Sequence, residues 1–65
     1  MIEKLNWASM VEEAIARRNI AGMTQRDLAA ATGLSLPTIN KFEQGRTDIT
    51  LTHVLTILGF LGLSQ

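Results

Sequence analysis

The sequence predicts an all-α fold, a compact arrangement of four helices with a fifth as the alternative. Three observations point there. Apolar residues recur at three- and four-residue spacing near both ends of the chain, as one buried helix face requires. Side chains that cap helix starts alternate with glycines that end helices. The single proline, Pro37, stands near the start of one such segment, where its missing N–H is tolerated.

In the first helix Trp7, Met10, Val11, Ala14 and Ile15 share a face, Asn6 is the N-cap and Gly22 the stop. The second opens on Thr24, with Asp27 as a capping-box partner and Met23 stapled onto Leu28; Thr32 and Gly33 close it. The third repeats that grammar. Ser35 caps it, Leu34 staples to Ile39, and Gly45 follows Gln44 as the stop. The fourth starts after Thr50 and runs from Leu51 to Phe60 or Leu61, with Leu51, Val54, Leu55, Leu58 and Leu61 on one face. Leu28, Ile39, Phe42, Leu51, Val54 and Leu58 are expected in the core, and Trp7 is expected to anchor the first helix. Ile57, Phe60 and Leu63 do not fit the fourth helix's stripe. A helix that is apolar over more than one face needs a further cover, so Ile57, Phe60, Leu61 and Leu63 are expected to form a dimer or partner interface.

A chain of 65 residues is expected to form one domain, spanning 1–65, with a thin core. Cysteine is absent and a single histidine cannot build a zinc site, so neither disulfides nor a metal reinforce it; association with a second copy remains. The fourth helix is too short for a membrane span, and Thr50, Thr52, His53 and Thr56 interrupt it. No secretory signal is visible, which makes the cytoplasm the expected compartment. No nucleophile–base set, metal cluster or phosphate loop is present, so neither an enzyme nor a cofactor is expected.

Six basic and six acidic residues cancel. Their distribution is uneven: Arg17, Arg18, Arg26, Lys41 and Arg46 face only Asp27 and Glu43 between residues 17 and 46, while residues 1–13 are acidic. A local positive excess of this kind suits a polyanion, although an ordinary mixed surface accounts for it equally well.

Residues 24–45 read TQRDLAAATGLSLPTINKFEQG. Ala29 is small where two helices would cross closely, and Gly33 allows the left-handed backbone of a tight turn. Leu28, Leu34, Ile39 and Phe42 supply the wedge between the helices. The segment resembles the helix-turn-helix of the phage repressor and Cro type, also called XRE-like. The Thr24–Gln25 pair ahead of an acidic cap residue, Leu28–Ala29, Gly33, Ser35, Thr38–Ile39 and Phe42–Gly45 carry the likeness, which extends over roughly Arg18 to Leu63.

That resemblance implies a repressor-like domain that binds double-stranded DNA, with helix 35–44 in the major groove. Leu36, Pro37, Asn40 and Lys41 match base-facing positions; Gln25, Thr38, Gln44 and Arg46 match phosphate contacts, Thr38 at a phosphate or base edge. Lys41 suits guanine O6 or N7, Asn40 the N6 and N7 of adenine, and Leu36 a thymine methyl. Leu36 and Pro37 replace the polar pair often found there. Either apolar contact and DNA shape carry part of the specificity, or specificity is low. Glu43 matches an inward-facing residue that pairs with an arginine ending the first helix, here Arg18. Arg17 and Arg26 are expected to be solvated.

The implied function is a sequence-specific regulator, a dimeric repressor reading a palindromic operator. Two alternatives stand beside it. The segment from Ile49 onward is suggestive of antitoxins of the HipB kind, which would add a toxin protein as partner. The zero net charge and the Leu36–Pro37 pair are compatible with a protein-interaction module that does not bind DNA.

Overall fold

Asn6, Thr24, Ser35 and Thr50 each turn a side-chain oxygen onto the backbone N–H three residues on, at 3.1, 3.0, 3.2 and 3.4 Å, and each begins a helix. The computed structural model describes residues 6–63. Within them the chain forms α1 (Trp7–Ile20), α2 (Gln25–Thr32), α3 (Leu36–Glu43) and α4 (Leu51–Phe60), and no strand. Thr24 and Asp27 complete a capping box, because the Asp27 carboxylate also accepts the Thr24 N–H at 2.9 Å.

The ends are as local as the starts. At Gly33 the backbone turns left-handed, φ +74°, and the Leu34 N–H reaches back to the Ala29 carbonyl at 3.1 Å. Gly45 does the same after α3, φ +78°, where the Arg46 N–H bonds the Lys41 carbonyl at 3.2 Å. L-residues avoid this region, so a side chain at either position strains the turn even though a Cβ would meet nothing within 4 Å.

Every helix contributes to one core: Val11 and Ala14 from α1, Leu28 and Ala29 from α2, Ile39 and Phe42 from α3, and Val54, Ile57 and Leu58 from α4, with Leu61 beyond it. Met23 and Leu34, the two expected staples, pack against that core, as do Met10, Ile15, Ile49 and Leu63. Trp7 stands edge-on to Phe42, ring centroids 5.7 Å apart and planes at 89°. Its indole N–H donates to the Gly45 carbonyl at 2.9 Å, tying the start of α1 to the turn that ends α3.

The inward face of α4 differs from the expected stripe. It runs through Val54, Ile57, Leu58 and Leu61, which puts the core side one step round the helix from Leu51. Leu51 is therefore 70% exposed rather than buried, and Leu55 is also at the surface. Ile57, placed in an interface by sequence, has no exposed surface, and Leu61 is buried with it. Both fill the chain's own core and cannot meet a partner. Leu63 packs against the same core. Of the four residues assigned to an interface, Phe60 alone remains an exposed large hydrophobic; Ile20, at the end of α1, is a further one.

Candidate nucleic-acid interface

The α2–α3 pair is held by one polar network under its surface. The Arg18 guanidinium grips Glu43 with two hydrogen bonds, Nε to Oε2 at 2.6 Å and Nη2 to Oε1 at 3.0 Å. Arg18 Nη1 also donates to the Met23 carbonyl at 2.8 Å, next to the start of α2. Gln25, the first residue of α2, donates its side-chain amide to Glu43 Oε1 at 2.8 Å. The side chains of Arg18 and Glu43 are only 12% and 6% exposed, so the pair is sheltered from solvent screening and its lone pairs and protons are shared among three elements.

With Ile39, Phe42 and the Glu43 carboxylate turned inward, the remaining arc of α3 faces out. Pro37 is exposed, Asn40 and Lys41 are half-buried, and Gln44, the C-cap, is exposed. Leu36 and Thr38 flank them and are half-buried. The Thr38 hydroxyl lies 2.9 Å from that of Ser35. At the start of α2 the Thr24 hydroxyl takes the Asp27 N–H, which leaves the N–H groups of Gln25 and Arg26 at the helix end, a favourable position for an anion.

Past α3 the chain folds Asp48 back beside that outward face. Arg46 donates to it through Nε and Nη2 at 2.9 and 2.6 Å. Lys41 Nζ lies 3.4 Å from the Asp48 carbonyl and 4.0 Å from its carboxylate. The hydrogen bonds from Arg46 hold the Asp48 carboxyl below its ordinary value of 3.8, and Asp48 in turn raises the Arg46 guanidinium. The Thr24 N–H, chiefly, lowers Asp27 in the same way.

Residues 15–64 match the family model for the helix-turn-helix of XRE type. The chain belongs to this family. Membership implies DNA binding, which is the family's general property. A solved structure described as "MDT Protein" has the same fold: it superposes with a TM-score of 0.82 at 29% sequence identity, covering 100% of this chain and 92% of its own. No curated protein is significantly similar. No helix among the described residues is long and apolar enough to cross a membrane.

In helix-turn-helix terms, the sequence-derived readers Leu36, Pro37, Asn40 and Lys41 all lie on α3, the second helix of the motif, with Pro37 the most open. The expected phosphate contacts are less free. Gln25 uses one side-chain N–H on Glu43, Thr38 is engaged with Ser35, and Arg46 is closed onto Asp48; Gln44 is exposed. Arg18 and Glu43 pair as the resemblance implied.

Two contacts were missed by sequence reasoning. Arg17 is exposed, as expected of a solvated side chain, but it also reaches across from α1 and donates to the carbonyls of Leu61 and Gly62 at 3.2 and 3.3 Å, where a cation is favoured by the helix end. Nothing local in the sequence marks that contact, which spans 44 residues. Asp48 was also overlooked, and its signal was available: it stands two residues after Arg46, just beyond the helix-stop Gly45, close enough to pair with it.

Proposed function

We propose that this chain is a sequence-specific transcriptional regulator that binds duplex DNA as a two-fold homodimer, with α3 in the major groove. The observation that carries the reading is the division of α3 into two sides. Its inner side is fixed by Ile39, Phe42 and the Glu43–Arg18 pair, while Pro37 and the C-cap Gln44 are exposed and Asn40 and Lys41 lie half-buried between them. Lys41 and Asn40 supply base-edge hydrogen bonds, and Pro37 and Leu36 supply apolar contact. Gln44 and the start of α2 lie where phosphates flank the groove.

A second copy is the partner that α4 suits. Its outer residues Leu51, Thr52, Leu55, Thr56 and Phe60 carry no charge, so two such faces meet across a two-fold axis without repulsion. Paired domains of this kind place their α3 helices about 34 Å apart, one turn of DNA, and read a palindrome. Occlusion of the promoter then gives repression.

Selection from a random duplex pool, followed by anisotropy titration on the enriched sequence, tests the proposal. The expected result is a palindromic site whose log affinity falls linearly with log salt. Recovery of no enriched sequence, or binding that ignores salt, would defeat it. Co-purification of a protein encoded beside it would add the antitoxin role to the same DNA function.

A further inference from the structure

We infer that Asp48 is an intramolecular stand-in for DNA phosphate, which holds Arg46 and Lys41 beside the outer face of α3 and limits how tightly this domain grips any duplex. The inference rests on the DNA-binding reading above.

The argument begins with where the positive charge goes. Of the five cations between residues 17 and 46, Arg17 lies beside Glu13 at 3.4 Å and bonds two carbonyls at the end of α4. Arg18 is sequestered by Glu43. Lys41 and Arg46, the two nearest the outer face of α3, both face Asp48. Arg26 alone has no carboxylate partner among the described residues. The local positive excess legible in the sequence is therefore largely consumed within the chain.

Geometry decides what kind of contact this is. Arg46 meets Asp48 fork to fork, the two-bond arrangement that guanidinium also makes with two phosphate oxygens. The carboxylate thus occupies the donor pair a backbone phosphate would take. Both partners are more than half exposed, at 54% and 56%, so the pair is weak in water and opens readily. It resembles the Arg18–Glu43 pair in form and differs in consequence. One is sheltered and structural, the other lies open at the edge of the candidate interface.

Binding then becomes an exchange of partners. Phosphate displaces the Asp48 carboxylate from Arg46, and a charge of the wrong sign must turn away from the DNA backbone. Because the close two-bond pair is with Arg46, and Lys41 stands 4.0 Å from the carboxylate, the main cost falls on a phosphate contact, the part of the affinity that is independent of sequence. Base contacts from Asn40 and Lys41 are then needed to hold the complex, which favours the right site over the bulk of DNA.

The test compares the wild-type chain with Asp48→Asn and Asp48→Ala, each also in an Arg46→Ala background, by anisotropy titration on a random-sequence duplex over a range of salt. Removal of the carboxylate is expected to tighten binding by about two- to fivefold at low salt and to steepen the slope of log affinity against log salt by about one. In the Arg46→Ala background most of that gain should vanish. Unchanged or weaker binding by both Asp48 variants, with thermal melts matching wild type, would overturn the inference while leaving DNA binding intact. A gain of the same size without Arg46 would also overturn it, because it would mark a diffuse charge effect. Failure of wild type and both variants to bind any duplex at low salt would instead defeat the DNA-binding reading, and this inference with it.

Discussion

Arg18 and Glu43 join the last part of α1 to the last turn of α3 through two parallel hydrogen bonds, and Gln25 closes the same carboxylate from α2. Three helices thereby share one anion. Removing either charge leaves its sheltered partner uncompensated, a loss of about 2–3 kcal/mol for a part-buried, hydrogen-bonded pair. Glu43→Ala and Arg18→Ala should each destabilise the fold by about that amount in urea titration. The double substitution should cost clearly less than the sum of the two, since each single variant already abolishes the pair. Strict additivity would show that the two side chains are energetically independent.

The capping box predicts how stability responds to acid. Asp27 accepts the Thr24 N–H, which holds its carboxyl below the ordinary 3.8 in the folded chain. A depressed folded value means that the ionised form is favoured by folding. The stabilisation is complete above the unfolded value and disappears as pH falls through the folded one. Asp27→Asn should therefore be less stable than wild type at pH 6, and the gap should narrow below about pH 3.8. Asp48 loses its partner over a similar range but is common to both proteins, so it drops out of the difference. A gap that stays constant from pH 6 to pH 2 would contradict the account.

Trp7 offers a test at the junction of α1 and the turn after α3. Its indole N–H satisfies the Gly45 carbonyl, and its ring meets Phe42 edge-on. Trp7→Phe keeps an aromatic ring and deletes the donor. The carbonyl is half-buried, so the expected loss is about 1–2 kcal/mol, read as a lower midpoint with an unchanged slope in urea. An unchanged midpoint would indicate that water replaces the indole at no cost.

Local signals made much of this fold legible. Caps and glycine stops act within three to six residues, so Asn6, Thr24, Ser35 and Thr50 mark helix starts and Gly33 and Gly45 mark stops without reference to the rest of the chain. The facing of α4 was less accessible. Leu51, Leu55, Ile57 and Phe60 are all apolar, and only the packing of α4 against the other helices selects Ile57 for the core and leaves Leu51 outside. For the candidate interface, residue type placed Leu36, Pro37, Asn40 and Lys41 together on one helix, as the fold has them, but it did not reveal that Arg46 and Gln25 are already engaged. Those contacts depend on the path of the chain after Gly45 and on the meeting of α1, α2 and α3 at Glu43.

Lys41 and Gln44 should separate reading from gripping. Lys41 lies on the outward arc of α3 one turn after Pro37, where the proposal puts a base edge, whereas Gln44 caps the end of α3, where it puts the DNA backbone. Lys41→Ala should weaken the selected site by about 1–3 kcal/mol and relax preference at one base pair. Gln44→Ala should weaken matched and mismatched duplexes alike. Both effects are measured by competition titration against single-base variants of the selected sequence. Equal losses on all sequences for Lys41→Ala would remove it from the readers.

The dimer proposal depends on which apolar residues of α4 are free. Ile57 and Leu61 fill the core, so charging them would unfold the chain and reveal nothing about association. Leu55 and Phe60, each 49% exposed, allow a cleaner test, because a charge there stays in water in the monomer and is buried without a partner in the dimer. Leu55→Glu and Phe60→Glu should retain the wild-type melt at low concentration but lower the sedimentation mass at micromolar concentration from two chains to one. Affinity for a palindrome should fall in parallel, while affinity for a half-site should not, since each α3 still binds alone. Variants that sediment as wild type would place the two-fold contact elsewhere on the surface.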